Sequence, residues 1–384
     1  MRHDSTAKLD KSVSVVHRLA SSIGYDVLDP NFRMNKRSYC MLAILSVVYP
    51  LIGCSFWRHR HDALIGLKVF LLCTKAIQAL SKFYNAINSR RNYPVLLDEL
   101  QAVLGELQKN PSNESILLKH MTRLNFWQKT IVYLYRVAMA LALILGLVLS
   151  VVNGEFTLVL EVHIPFVDEK TFFGYIVTTA CHGILVNLAA IVFPAFDSFF
   201  MILNLPIGAF IDAIGNEIGE LNLLLVDDVS SNQQQIEEKI QRIYRAHQML
   251  VDFETRVDNH YSGHNWILLT ANMVGMVCSV YLAYIKRYYT AYGVLVAMIA
   301  QISQYCILGT YVAAKNQRMV EFVYTVSFYN LSIRHQRMIA LMLHRAQNAT
   351  EMCAGRIVPL NMETYVEVLK GMYSYITILA TMMD

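Results

Sequence analysis

The sequence predicts an all-α integral membrane protein with seven transmembrane helices, a cytosolic N-terminus and an extracellular C-terminus. Three observations support this prediction: the apolar composition, seven long apolar segments, and the unequal distribution of lysine and arginine. Hydrophobic residues make up 55% of the 384 residues and charged residues only 16%, whereas about 25% of an average soluble chain is charged. The composition therefore excludes an ordinary soluble protein.

Seven segments are long and apolar enough to cross a bilayer, which takes about 20 residues per helix. The second segment is interrupted by lysines. The fourth exceeds one bilayer, since a helix over 172–225 would be ~80 Å long at ~1.5 Å per residue. We therefore expect the fourth helix to continue into the cytosol, bent at Pro194 and Pro206. The predicted spans are 39–57, 63–87, 131–152, 172–211, 266–285, 291–313 and 362–382.

The distribution of lysine and arginine sets the orientation of these spans. The segments that are cytosolic in this topology hold 22 of these residues, against 5 in the outer segments. The first 37 residues contain no apolar signal-peptide core, so we expect the first span to act as the signal anchor. This orientation is the reverse of that of G-protein-coupled receptors. Their D-R-Y and N-P-x-x-Y motifs are also missing after the third span and in the seventh.

Two inner segments are predicted to form amphipathic helices below the membrane. Residues 227–260 carry an apolar stripe at three- and four-residue spacing, and residues 314–347 are similarly amphipathic and basic. Both stripes have to be buried. We expect a subunit-assembly region to bury them, although packing within one chain would also do so. The first stripe consists of Ile236, Ile240, Ile243, His247 and Leu250.

The last sixty residues carry the most specific pattern in the chain. After PLN at residues 359–361, the chain reads TYVEVLKGMYSYITIL at residues 364–379. This region resembles the end of insect odorant receptors, whose last helix follows the form L-N-x-x-[TF]-[FY]-x-x-[IV]-L-K-x-x-Y-S-[YF]-[FI]-T-x-L. Gustatory receptors share Thr364-Tyr365 but carry Gln-Phe where this chain has Gly371-Met372. The pattern therefore favours the odorant receptors over their gustatory neighbours.

The resemblance implies a ligand-tuning subunit, because the chain lacks the large insertion that the odorant co-receptor carries after its fourth span. Such a subunit assembles with the co-receptor (Orco) into a heterotetrameric, odorant-gated, non-selective cation channel in the plasma membrane of olfactory neurons. By the same resemblance, residues 1–205 hold spans one to four and bind the odorant, and residues 263–313 hold spans five and six. Residues 206–262 and 314–358 form a cytosolic anchor, and residues 359–384 hold the pore-lining span.

The resemblance also places the gate on the last helix. Ile378 falls at the family's apolar gate, near Tyr375, and Thr381 falls where the co-receptor has a glutamine. An apolar ring blocks ions when it is narrow enough to expel water. Lys370 lies mid-helix, where an ionisable side chain needs water or a partner. A pore-facing stripe and an intrahelical pair with Glu367 would both meet this need.

Three lysines repeat every seven residues on the second span and share one helix face. We expect Lys68 and Lys82 to extend to opposite membrane interfaces, with their apolar stems along the helix. Lys75 is too central for this. It should face protein or a cavity, with an acid or carbonyl oxygens as partner, so a pocket role and a structural pairing both remain open.

The resemblance places the odorant among spans two, three, four and six, in the outer half of the bilayer. Such a pocket should be apolar with few polar groups. Tyrosines offer ring stacking and one hydrogen bond, so we expect a small aromatic or heterocyclic volatile. An interfacial tyrosine belt and an internally bonded His182 are the alternatives. The candidate lining residues are Leu143, Gly146, Leu147, Thr178, Cys181, His182, Leu185, Tyr281, Tyr288, Tyr292 and Lys75.

Signatures of other function classes are missing from the sequence. It contains no H-E-x-x-H, P-loop or G-x-G-x-x-G motif, and its seven cysteines form no C-x-x-C pair. We therefore expect neither catalysis nor a cofactor or metal site. A net charge of +4 is too mild to indicate nucleic-acid binding, so the expected partners are the co-receptor, a volatile ligand and membrane lipid. The alternatives are a metabotropic seven-span chemoreceptor, a gustatory-like homomeric channel, and a transporter.

Overall fold

The computed structural model describes residues 3–25, 33–88, 92–153, 156, 158, 160, 162–165, 167–169, 171–226, 233–285, 288 and 290–381. Its long elements are all helices, as predicted. They are α1 (Asp4–Ser22), α2 (Lys36–Arg58), α3 (Ala63–Asn88), α4 (Asn92–Leu107), α5 (Glu114–Asn153), α6 (Phe172–Val226), α7 (Gln233–Val280), α8 (Thr290–Tyr324), α9 (Ile333–Gln347) and α10 (Met362–Thr381). A short antiparallel pair, β1 (Cys353–Ala354) and β2 (Val358–Pro359), places Cys353 opposite Pro359.

Seven of these helices form the membrane-spanning set, which confirms the predicted class. Within the described residues, α2, α3, α5, α6, α7 and α8 are each long and apolar enough to cross a bilayer. The seventh, α10, is less apolar because it carries Glu363, Glu367 and Lys370. We call the end of the bundle that the charge distribution assigns to the cytosol the inner end.

Several spans continue as single helices beyond the predicted membrane boundaries. Helix α6 runs for 55 residues with Pro194 and Pro206 inside it, which confirms that the fourth span continues past the bilayer. Helix α7 begins at Gln233, so the predicted inner helix and the fifth span are one element. Similarly, α8 extends the sixth span to Tyr324.

Local hydrogen bonds explain where two of the spans begin. Asn35 Oδ1 accepts from the Ser38 N–H at 3.0 Å, and Ser38 Oγ accepts from the Asn35 N–H at 3.2 Å, which is a capping box at the start of α2. Asn361 Oδ1 accepts from the Thr364 N–H at 2.8 Å and caps α10 in the same way.

The largest core cluster includes the inner end, where the apolar stripe of α7 is buried by its own chain. Ile236 is 5% exposed and Ile240 is fully buried, in one cluster with residues of α6, α8 and α9. The expectation that another subunit would bury this stripe was therefore wrong. Three helices of the same chain run beside α7 and already remove its apolar face from water.

The topology makes a prediction about glycosylation. The three N-x-[ST] sequons begin at Asn113, Asn330 and Asn348, which all lie in segments that the charge distribution assigns to the cytosol. Asn113 is also fully buried and donates to Glu217 Oε1 at 2.8 Å. Enzymatic deglycosylation should therefore leave the electrophoretic mobility unchanged. A sequon inserted with a spacer into the outer loop 153–171 serves as the positive control. A mobility shift mapped to any native sequon would contradict the topology.

Candidate functional site

A buried ion pair lies inside the helix bundle, nearer the inner than the outer end of α3. The ammonium group of Lys82 on α3 binds Asp197 Oδ1 on α6, and both side chains are completely buried. Tyr135 of α5 donates to Asp197 Oδ2 at 2.6 Å, and Tyr305 of α8 donates to Oδ1 at 2.7 Å. The expectation that Lys82 reaches a membrane interface was therefore wrong. Asp197 lies within reach in the interior, and pairing there avoids an isolated charge.

A second polar layer lies nearer the outer end of α3, around Lys75, which precedes Lys82 on this helix by about two turns. Its ammonium group donates to Gln78 Oε1 at 3.3 Å, Asn272 Oδ1 at 3.0 Å and Gln301 Oε1 at 3.1 Å. Gln301 also donates to Asp197 Oδ2 at 3.5 Å, which links the two layers. Lys75 thus faces protein and carbonyl oxygens, as expected for a lysine at this depth.

Together the two layers connect five helices: α3, α5, α6, α7 and α8. A charged side chain at the centre of a bilayer is costly unless it meets partners or water. Because most of these hydrogen bonds join side chains of different helices, they specify how the helices are arranged. The predicted odorant-binding spans α3, α5, α6 and α8 therefore share these two layers, which we call the polar floor. It consists of Lys75, Gln78, Lys82, Tyr135, Asp197, Asn272, Gln301 and Tyr305.

The predicted pocket residues of α5 and α6 lie in the outer part of the bundle and differ in exposure. Gly146, Thr178 and His182 are buried, Leu143, Cys181 and Leu185 are half-buried, and Leu147 is exposed. Ser150 and Tyr175 share a hydrogen bond of 2.8 Å between their hydroxyl oxygens, which joins α5 to α6 at this level. Two small cavities, one at the inner end and one between α1 and α6, do not border these residues.

His182 holds the outer loop in place. Its Nε2 lies 3.0 Å from the Val162 carbonyl oxygen, and Val162 packs against Ile52 of α2 and Val69 of α3. The His163 N–H donates to Ser55 Oγ at 3.0 Å. The histidine therefore has the internal hydrogen bond that we considered as the alternative to a ligand contact, and the loop covers the outer ends of α2 and α3.

The predicted tyrosines lie where α7 turns into α8. Tyr281 opens a π-helical turn, Tyr281–Ile285, and is half-buried, as is Tyr288. The Lys68 ammonium lies 4.3 Å from the centroid of the Tyr288 ring, a cation–π contact that joins α3 to this turn. Tyr292 is 47% exposed. Tyr288 thus contacts α3, one of the predicted odorant-binding spans.

The predicted pore residues form part of an exposed face of α10. Lys370, Tyr375, Ile378 and Thr381 are all exposed, whereas Val368 on the opposite side is buried. Helix α10 packs on α7 and α8. Both Glu367 and Lys370 are described, and no ion pair within 4 Å joins them. The intrahelical pair is therefore not formed in one subunit.

The inner end contains buried titratable groups that the sequence did not single out. Burial raises the pKa of Glu254 to about 8, so this carboxyl is largely protonated at neutral pH. Its Oε2 accepts from Asn316 Nδ2 at 3.2 Å. Burial lowers the pKa of His247 to about 4, which keeps its ring neutral. Both groups line the cavity at the inner end and are held without charge between α7, α8 and α9.

Sequence reasoning missed most partners of the polar floor. The sequence patterns single out none of Asp197, Tyr135, Asn272 and Gln301 as site residues. The available signal was Lys82 itself: a lysine within a span requires a partner, and Asp197 is an acid inside an apolar run. Residue spacing cannot say which helices meet, so the pairing itself required the structure.

Replacing Lys82 should strongly destabilise the chain. Lys82→Met leaves the Asp197 carboxylate buried without its cation, which lowers the free energy of unfolding by about 3–5 kcal/mol. Thermal unfolding of the detergent-solubilised chain measures this. The double variant with Asp197→Leu should recover much of the loss. Lys68→Met is the control, because this lysine lies near the outer end of the same helix, its ammonium beside the Tyr288 ring, and should cost only about 1 kcal/mol. Equal losses for Lys82→Met and Lys68→Met would contradict this account.

The comparisons with known proteins agree with these features. The family model described as "7tm Odorant receptor" matches residues 66–373. The Drosophila melanogaster protein described as "Putative odorant receptor 83c" is 20% identical over 378 residues, which is 94% of each chain.

Two solved structures of the olfactory receptor OR5 from Machilis hrabei share the fold at 14% identity. The complex with eugenol has a TM-score of 0.79, covering 99% of this chain and 100% of OR5. The second structure, whose description names no ligand, has a TM-score of 0.76, covering 97% and 98%. The family and fold are those of receptors rather than enzymes. The family model covers most of the chain, so this multi-pass membrane protein belongs to the insect odorant receptor family.

Proposed function

We propose that the chain is the odorant-binding subunit of a ligand-gated, non-selective cation channel, formed as a heterotetramer with the odorant co-receptor in the plasma membrane of olfactory neurons. A small volatile binds among α3, α5, α6 and α8, and its binding opens a pore lined by α10. The family membership supports a ligand-binding chemoreceptor. One further observation, the exposed polar stripe of α10, supports the channel.

This polar stripe comprises the residues that fall on one side of α10. Their spacing of three and four residues keeps them within one face of a helix. All of them are exposed, and the opposite face packs on α7 and α8. The stripe consists of Glu363, Glu367, Lys370, Ser374, Thr377, Ile378 and Thr381.

Lipid is an unfavourable environment for this stripe. Three ionisable side chains and three hydroxyls on a membrane helix call for water or polar protein groups. Several subunits around a common axis would supply both, because their α10 stripes would then face one aqueous path. Ile378 would place an apolar ring at the outer part of this path, and such a ring closes a pore by expelling water.

Short contacts connect the start of α10 and the strand pair before it to α8, a proposed ligand-binding helix, and to α7. The Met362 N–H at the start of α10 donates to Thr310 Oγ1 of α8 at 2.8 Å. The Leu360 carbonyl lies against Gly309 of α8, where any Cβ would collide with it. The Cys353 N–H donates to Asp258 Oδ1 of α7 at 2.8 Å. Movement of α8 on ligand binding would therefore be passed to the base of the pore helix.

Co-expression with the co-receptor should give odorant-evoked cation current. Whole-cell currents are measured for this chain, the co-receptor and both together, under a panel of aromatic, heterocyclic and aliphatic volatiles. Because the proposed pore is formed jointly with the co-receptor, we expect volatile-evoked current only with both chains, unchanged when G-proteins are blocked. Current from this chain alone would instead favour a homomeric channel. A response that requires G-proteins would contradict the channel proposal.

The polar stripe should be accessible to water-soluble reagents in the open channel. Ser374→Cys and Thr381→Cys are expected to lose more than about half of the evoked current after treatment with a charged methanethiosulfonate, because the added group obstructs the ion path. Val368→Cys is the matched control on the buried face of the same helix, and the untreated and treated wild type corrects for native cysteines. Modification of Val368→Cys with no effect at Ser374 and Thr381 would contradict a pore-lining role.

A further inference from the structure

The polar floor contains one more cation than carboxylate. Asp197 is paired with Lys82, and among the described residues no carboxylate lies within 4 Å of the Lys75 ammonium. Within the described ranges, the hydrogen-bond partners of the Lys75 ammonium are the amide oxygens of Gln78, Asn272 and Gln301. These dipoles stabilise the ammonium without neutralising it. The layer therefore holds a buried lysine amino group without a carboxylate partner, which favours an approaching anion or oxygen dipole.

Gln78 adds a hydrogen-bond donor that has no partner. Its side chain is fully buried, and its Nε2 makes no hydrogen bond in the described part of the chain. The orientation of the amide is fixed by its neighbour: Oε1 accepts from Lys75, and a flipped amide would direct its N–H groups at the ammonium. A buried donor left unsatisfied costs free energy. The free donor thus calls for an acceptor from outside the chain.

The space on the outer side of this layer is filled by a flexible side chain. The sulfur and methyl of Met298, together with the Thr74 hydroxyl, occupy the place that a Cβ at Gly275 would take. Gly275 and Met298 each lie three residues from the layer, beyond Asn272 and Gln301, towards the outer end. Methionine is unbranched and adapts its shape readily. A change of the Met298 rotamer would therefore give a ligand access to the Lys75 and Gln78 donors.

From these three observations, we propose that Lys75 and Gln78 form the polar end of the ligand site, and that the ligand is a volatile with a carboxylate or carbonyl oxygen. This inference rests on the proposed function. The ligand oxygen accepts from Gln78 Nε2 and lies beside the Lys75 ammonium. The apolar body of the ligand extends outward past Met298 between α3, α7 and α8. A charge-assisted contact of this kind is stronger than one between neutral groups, so acids are held more tightly than aldehydes.

The experiment compares matched volatiles on cells that express this chain with the co-receptor. Benzoic acid, benzaldehyde and toluene form one series; hexanoic acid, hexanal and hexane form the second. We expect the oxygen-bearing members to act at concentrations at least about tenfold lower than the hydrocarbons. Lys75→Met and Gln78→Leu should each remove this preference while the hydrocarbon response remains. Lys68→Met, at the outer end of the same helix, should preserve the preference.

The outcomes separate this inference from the function on which it rests. Evoked current without an oxygen preference in the wild type would overturn the inference and leave the channel proposal standing. An equal loss of response to all members in both variants would overturn it as well, because it would show a purely structural role. If Lys75→Met fails to reach the surface, Gln78→Leu alone decides between these results. Silence of the wild type to both series, at normal surface expression, would contradict the ligand class.

Discussion

The Lys82–Asp197 pair constrains how the membrane-spanning helices around it are arranged, because neither charge can remain isolated in an apolar interior. The pair joins α3 to α6, and the two tyrosines that donate to Asp197 add α5 and α8. Gln301 extends the network to Lys75, whose other partners include Asn272 of α7. The spans that frame the predicted odorant site are therefore held in an arrangement in which Lys82, Asp197 and Lys75 all have hydrogen-bond partners.

This constraint also bears on where the proposed ligand site and the proposed pore lie in the molecule. The inner end is closed by apolar packing of α6, α7, α8 and α9, so one subunit supplies a stable base. The outer helices share a polar floor that, in the part of the chain that the structure describes, has one more lysine than carboxylate and leaves the Gln78 amide donor unpaired. Helix α10 stands apart, packed on α7 and α8 with its polar stripe exposed. Such a division suits a receptor in which ligand binding and ion passage occur on different helices joined by α8.

The sequence was sufficient for the class, the number of spans and the continuation of the fourth helix, because these follow from hydropathy and length. The exposed face of α10 also follows from residue spacing. The partner of Lys82, the burial of the α7 stripe within its own chain and the contact of His182 with the outer loop did not follow. Each depends on which helices become neighbours, and one-dimensional periodicity contains no such information. Lys75 shows where prediction from sequence ends. Its need for an acid or carbonyl partner was predictable, but the identity of the partners was not.

The most direct test of the central claim is a cryo-electron microscopy structure of this chain assembled with the odorant co-receptor and a bound volatile. The account predicts that the α10 stripe, from Glu363 to Thr381, faces a shared central axis, and that ligand density contacts the outer side of the polar floor. An α10 whose stripe faces lipid, or ligand density at the inner end of the bundle, would contradict it.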